Sequence, residues 1–492
     1  MNRDQMRCVL FILAFALCNA IVSAAQTLQP EGWDANVKLR EAVDLNPDPH
    51  VVEIDLRAEV APVEIAPGVR SELWTYNGGL PGPLIRARAG DRLIVHFSNA
   101  LPQSTTVHWH GVQVPIQMDG VPGVSQDAVI TGGSFTYDFV VPDAGLFWYH
   151  PHVMSAAQVG FGLYGALLVE EREDSVHAPD QLVMVLSDVA IDNGKLEPAE
   201  SGGVLGDLLG REGNHLLVNG RERPTLTFRD GALQRWRLVN TAKSRYFDLV
   251  LGAGQPFMVI GVDGGLTEYS VQRERLVLAP GERLDVLVAP RVEAGAPLVL
   301  RAVPYNRGFG SVEFRSVEDL MTLTPAALPP IETAPLPQVH RAISPMDGNG
   351  AKPIGLNLVL NKGEGQFGIE GGPFWEGTRV RAEIGETQLW TITNKATWDH
   401  PIHLHGYFFQ VLDDKGDPVK PLAWKDTINV PADKTVRFLV RLDRPGSWMY
   451  HCHILDHAEA GLMSTVDVGK VSETTGGGDH LHMHGAHEAS SH

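Results

Sequence analysis

Apolar and polar residues alternate along this chain in short runs, and each run is closed by Gly, Pro, Asn or Asp. Segments such as Gln181–Ser187, Leu298–Val303 and Val436–Leu442 read as strands, and few stretches show a helical period. The pattern repeats. Gly90-Asp91-Arg92-Leu93-Ile94-Val95 precedes Asn99, and Gly385-Glu386-Thr387-Gln388-Leu389-Trp390 precedes Asn394. Between them, Gly231-Ala232-Leu233-Gln234-Arg235-Trp236 precedes Asn240, and in each copy the Asn lies nine residues after the Gly. Each copy is a turn glycine, an alternating strand and a turn residue, so three related β units are expected. Three antiparallel Greek-key sandwiches are the natural packing, an all-β fold with domains at about 45–172, 178–325 and 350–470. The Pro-rich stretch Pro325–Pro337 reads as a linker.

The length of 492 residues exceeds what one core can organise and requires two to four domains. The 51 glycines and 33 prolines suit turns between strands. A formal charge of −19 argues against a nucleic-acid partner and leaves the reaction open.

Residues 1–25 read as a secretory signal. Arg3 and Arg7 precede an apolar run from Cys8 to Val22, and small residues follow at Ser23, Ala24 and Ala25. The run is short for a bilayer span, and no later segment reads as one. A lipoprotein signal at Cys18 fits poorly, with bulky Phe15 and Leu17 before it. The expected location is therefore periplasmic or secreted. Removing the signal takes Cys8 and Cys18 and leaves Cys452 alone, so no internal disulfide can form.

Cys452 lies inside a metal-ligand pattern. The histidine clusters are His108-Trp-His110-Gly, His150-Pro-His152, His400-Pro-Ile-His403-Leu-His405-Gly, and His451-Cys452-His453 with His457. On a strand, residues two apart face one way, about 6.6 Å apart. His451 and His453 then reach one site while Cys452 reaches another on the opposite face. By the same parity His403 and His405 share a face and His400 tends to the other. Cys452, His400 and His457 form one set, and the remaining eight histidines form four His-x-His pairs. Eighteen residues past the first and third repeat glycines stand His108 and His403, but in the middle copy Leu249, then Leu251. The middle domain is expected to hold no metal. Zinc also takes thiolate and imidazole, but structural zinc wants one compact set of four ligands. A Cys-His₂ trio with a weak or missing axial ligand is a blue-copper pattern.

These strings resemble the copper signatures of the multicopper oxidase family in its three-domain, laccase-like bacterial form, across nearly the whole mature chain. The resemblance implies cupredoxin-like domains and four coppers per chain. His400, Cys452 and His457 would hold the type 1 copper, and His108 and His403 the type 2 copper. His110, His150 and His453, with His152, His405 and His451, would hold the type 3 pair. It implies one-electron oxidation of a small reductant, a phenol or aromatic amine, coupled to reduction of dioxygen to water. A metallo-oxidase acting on Cu(I), Fe(II) or Mn(II) is the alternative. Dedicated Cu(I) oxidases of the family commonly carry a Met-rich segment over the type 1 site, and here the methionines are dispersed. A non-enzymatic binding protein would be expected to have lost ligands, and none is missing.

By the same resemblance the type 1 axial position is Leu462, five residues after His457, with Met463 turned away by strand parity. A register shifted by one would bring Met463 in. Asp119, nine after His110, matches a family carboxylate beside the trinuclear site and is a candidate for proton supply, with Asp456 and Glu459 as further candidates. Each could equally be a solvated surface carboxylate. The tail from 471 to 492 carries His480, His482, His484, His487 and His492 and is expected to be disordered.

Overall fold

The computed structural model describes residues 37–471, apart from 174–175, 177, 253, 293–296, 309–314, 330, 332–340, 362–365 and 370–378. The signal, the His-rich tail and much of the expected linker lie outside the described residues.

Three β-sandwiches follow one another along the chain. In the first, a sheet ordered Val69–Tyr76, Val51–Ala66, Arg92–Asn99, Ser134–Val140 faces a sheet ordered Ile85–Arg88, Gly165–Glu170, Gly145–His150, His108–His110. The second pairs a seven-stranded sheet containing Asp180–Val189, Gln234–Asn240 and Arg283–Val288 with a five-stranded sheet centred on Leu298–Val303. The third has two five-stranded sheets. One contains Lys352–Asn361, Glu386–Asn394 and Thr435–Leu442, and the other contains Met463–Val468, Gly446–Cys452, His400–Leu404 and Thr427–Val430. Each sandwich closes around its own apolar cluster, on Trp109 and Tyr137, on Trp236 and Phe247, and on Trp390 and Trp448 respectively. The described α-helices are three short ones, Ser155–Gly160, Gly203–Leu209 and Leu455–Glu459, and none is long and apolar enough to cross a membrane.

The sheets are mixed rather than purely antiparallel. Each repeat strand runs parallel to the first strand of its unit (Val51 opposite Arg92, Asp180 opposite Gln234, Lys352 opposite Gln388). It runs antiparallel to its other neighbour (Arg92 opposite Val140, Gln234 opposite Val288, Glu386 opposite Leu442). In the first unit the chain visits the facing sheet between the two parallel strands, through Ile85–Arg88, and returns in the same direction.

The repeat asparagine has one task in all three units. Asn99, Asn240 and Asn394 each accept a backbone N–H two residues on, from Leu101, Ala242 and Ala396. Each also donates to a segment 30 or more residues further on, at the carbonyls of Val129, Leu278 and Val430. A single buried amide thereby fixes the turn and ties it to a neighbour, which satisfies groups that are costly to leave unpaired.

The third bond differs. Asn99 and Asn394 donate to carbonyls four residues on, at Gln103 and Trp398, whereas Asn240 reaches five residues, to Arg245. The middle loop is one residue longer, so its next strand, Phe247–Leu251, starts one residue later and its facing flips. Leu249 and Leu251 point into the core of their sandwich, while Trp109, Ile402 and Leu404 hold the core-facing places in the outer two. The expectation that Leu249 and Leu251 replace the histidines is therefore corrected. Val250 and Gly252 occupy the equivalent outward places, and neither side chain is a metal ligand. Burying Leu249 and Leu251 contributes about 2 kcal/mol each to the middle core.

Candidate metal centres

The strand Gly446–Cys452 pairs with His400–Leu404 on one side and Met463–Val468 on the other, with Ile402 opposite Cys452 and His403 opposite His451. Cross-strand partners share a face. Cys452 turns into the core of the third sandwich, and His451 turns out toward the first.

On the core side, Cys452 Sγ lies 3.6 Å from His400 Nδ1 and 3.9 Å from His457 Nδ1, and the two nitrogens are 3.1 Å apart. All three residues are buried. The Nε2–H of His457 donates to the carbonyl of Leu208 at 3.0 Å, which leaves Nδ1 as a lone pair facing the thiol. Phe367 stacks on His457 at 4.3 Å between ring centres. Burial pushes the Cys452 thiol well up, and burial with the Arg307 charge pulls His457 down to about 3. Two facing imidazole lone pairs and a thiol satisfy one another poorly, and a shared soft cation would satisfy all three. Leu462 is buried in the same cluster and accepts the Cys452 N–H at 2.9 Å. Met463 pairs with His451 and is half-buried. The helix Gly203–Leu209, from the second sandwich, lies over the outer edge of His457.

On the other side, eight histidines from the first and third sandwiches meet. His108 stacks on His405 at 3.9 Å and His110 on His403 at 3.6 Å, so the two His-x-His pairs lie face to face. Four sets have ligand atoms within 4.8 Å of one another: His108 with His403 and His405, His108 with His110 and His150, His152 with His405 and His451, and His110 with His403 and Asp426. The set of His152, His405 and His451 is one of the type 3 trios implied by resemblance. The other expected trio is not gathered as such; His453 lies 4.9 Å from the His110 ring, and His108 takes its place beside His110 and His150. Among the described residues, none of these sets draws on residues 178–325.

The rings are held from outside. Nδ1–H of His108 donates to the Asp119 carbonyl at 2.7 Å, that of His150 to Pro151, that of His403 to Asp426, and that of His451 to Cys452. The Nε2 atoms of His108, His150, His152 and His403 and both ring nitrogens of His453 are buried and have no hydrogen-bond partner. His110 is reversed. Its Nε2 faces Thr427 Oγ1 at 3.2 Å, and its buried Nδ1 has no partner. An orphaned buried polar atom costs about 1–3 kcal/mol, so this many inside one cage are fitted to metal. Burial holds His110, His150, His405, His451 and His453 well below the usual imidazole range, in the neutral form that ligates.

Two carboxylates brace the cage. Asp119 is fully buried rather than solvated, and its Oδ2 accepts from His405 Nδ1 at 2.8 Å. Burial opposes its ionisation, but His405 and His108 outweigh this and hold it well below the usual range. Asp426, which no sequence motif singles out, lies 3.3 Å from His110 Nε2 and 3.4 Å from His403 Nδ1. The other candidates differ. Asp456 is buried and occupied by Arg211 and Ser244 of the second sandwich. Glu459 accepts the Ala156 N–H at 2.8 Å, and burial raises its pKa to about 7.

Three sequence profiles, each described as multicopper oxidase, match residues 57–174, 174–296 and 356–472. The chain belongs to the multicopper oxidase family. Multicopper oxidase MmcO of Mycobacterium tuberculosis is 30% identical over 457 residues, covering 85% of this chain and 87% of that one. A laccase of Bacillus stratosphericus is 26% identical, covering 81% and 91%. Among solved structures, a multicopper oxidase from Campylobacter jejuni described as a metallo-oxidase superposes with a TM-score of 0.78, at 28% identity, covering 88% and 94%. This multicopper oxidase is accordingly a copper-dependent oxidoreductase with cupredoxin-like domains that takes O2 as acceptor and draws electrons from a reducing substrate.

Proposed function

We propose that this multicopper oxidase acts as a laccase, oxidising phenols or aromatic amines by one electron each. His400, Cys452 and His457 are assigned to a type 1 copper, and His108 and His403 to type 2. His110, His150 and His453, with His152, His405 and His451, are assigned to a type 3 pair. Four coppers held by these residues would supply storage for the four electrons that, with four protons, reduce O2 to two waters. Cys452 joins the two centres: its side chain serves one, and its two backbone neighbours His451 and His453 serve the other. That junction is the observation that carries the coupled oxidase chemistry, which laccases and metallo-oxidases share.

The chain itself contributes orientation. The Leu208 carbonyl holds the outer nitrogen of His457 and directs its inner one to the cluster. Asp119 holds His405 in the same way and is the candidate for moving protons into the cage. Phe367 and Leu462 exclude water from the thiolate site. The helix over His457, Gly203–Leu209, carries Val204, Leu205 and Leu208 and no methionine, which favours an apolar organic reductant over Cu(I). Residues 1–25 and the single remaining thiol support a periplasmic or secreted location.

Oxygen uptake with a panel of phenols, Cu(I), Fe(II) and Mn(II) tests this. Phenols are expected to turn over fastest. Faster turnover of a metal ion identifies a metallo-oxidase instead, the reading that the Campylobacter neighbour supports.

A further inference from the structure

We propose that Arg283, from the sandwich that supplies no ligand, is a positioning residue for the trinuclear site and acts through Asp426 on His110 and His403. The inference rests on the assignment of those histidines to copper made above.

Arg283 is fully buried, and its guanidinium reaches all three sandwiches. Nε–H donates to the Leu146 carbonyl of the first at 3.0 Å. Nη2–H donates to the Asp263 carbonyl of the second at 3.0 Å, and Nη1–H to that of Gly281 at 3.1 Å. Both terminal nitrogens grip the Asp426 carboxylate of the third, with Nη1 to Oδ1 at 2.7 Å. A planar fork of this kind fixes the plane of a carboxylate as well as its place. Asp426 Oδ1 then faces the outer nitrogens of His110 and His403, and Thr427 Oγ1 donates to the same oxygen at 2.8 Å. Two stacked rings, one from each end of the chain, take their orientation from one carboxylate set by one arginine.

Two glycines show how closely the parts are fitted. A Cβ on Gly111, the last residue of His-Trp-His-Gly, would collide with Arg283 Nη2 and lie 2.7 Å from Asp426 Oδ2. The glycine of that motif is thus the space that admits the ion pair. A Cβ on Gly281, two residues before Arg283, would stand 2.9 Å from His453 Cδ2 and 3.1 Å from His110 Cε1. The turn 279–283 of the second sandwich therefore rests on the ligand rings themselves.

Arg283→Lys keeps the charge and loses the fork. In the copper-loaded full chain, a chelator is expected to strip trinuclear copper at about a ten-fold lower concentration than in the parent. The paramagnetic resonance signal of the type 2 copper should shift, while the blue band and its resistance to chelator stay unchanged. Lys420→Met, which breaks the exposed Lys420–Glu268 pair between the same two sandwiches, should alter neither signal. Should Arg283→Lys not fold, Asp426→Asn carries the test with the same expected selectivity. The inference is overturned if both centres lose copper together, if Lys420→Met reproduces the effect, or if the trinuclear signals are unmoved. A parent protein with no blue band would sink the copper assignment itself, a separate result.

Discussion

The middle sandwich and its two neighbours are built on the same repeat, down to the asparagine that ties each turn, yet the strand after that turn carries histidines only in the outer two. The difference begins with one residue in a loop. Because Asn240 spans five residues where Asn99 and Asn394 span four, the following strand turns its other face to the core. The outer units direct alternate residues to a shared interface and supply donors there. The middle unit directs its leucines inward and supplies Arg283 and Gly281 against the backs of the rings. Presenting ring donors and bracing them are thus separate tasks: the outer sandwiches do both, through the histidines and through Asp119 and Asp426, and the middle one does only the second.

The most drastic way to divide the outer units is Cys452→Ser. It should abolish the blue colour and phenol oxidation while copper content falls from about four to about three per chain. Metal analysis and visible spectra check this, and loss of all four coppers would mean that the two centres are not independent. A smaller effect tests the parity of the middle strand. Leu249→His places an imidazole in an apolar core and should cost about 3–5 kcal/mol in urea unfolding. Val250→His faces outward and should cost about 1 kcal/mol or less. Equal costs would refute the shifted register. Leu462→Met offers a thioether on the Cys452 face, and redox titration should show the type 1 potential falling by on the order of 100 mV. Met463→Leu, on the His451 face, should leave the potential unmoved, and the opposite pattern would make Met463 the axial residue.

What could be read from the sequence was what strand parity and spacing encode. His-x-His, His-Cys-His and the Gly-to-Asn interval are local, and a strand converts them directly into faces. That logic placed Cys452 apart from His451 and placed His400 apart from His403. It failed at Leu249, because a count of eighteen residues is silent about where a loop gains one. It also missed Asp426 and Arg283. Each sits in an ordinary turn or strand sequence, and they meet only because three sandwiches pack together, 143 residues apart along the chain. The helix over His457 escaped notice for the same reason. Gly203–Leu209 carries no ligand, and only tertiary packing brings the Leu208 carbonyl to the ring.

The face-to-face histidine pairs have a consequence for how the protein is made. Asp119 and His405, in contact in the folded molecule, are separated by 286 residues. A chain growing from its N-terminus holds His108, His110, His150 and His152 long before their counterparts exist. At that stage it offers four of the eight rings, and His108 and His110 lack the rings that stack on them. The second half of the cage forms only when the strands His400–Leu404 and Gly446–Cys452 have paired. The completed centre therefore reports that the first and third sandwiches have both folded and docked, because neither holds the full set of rings alone.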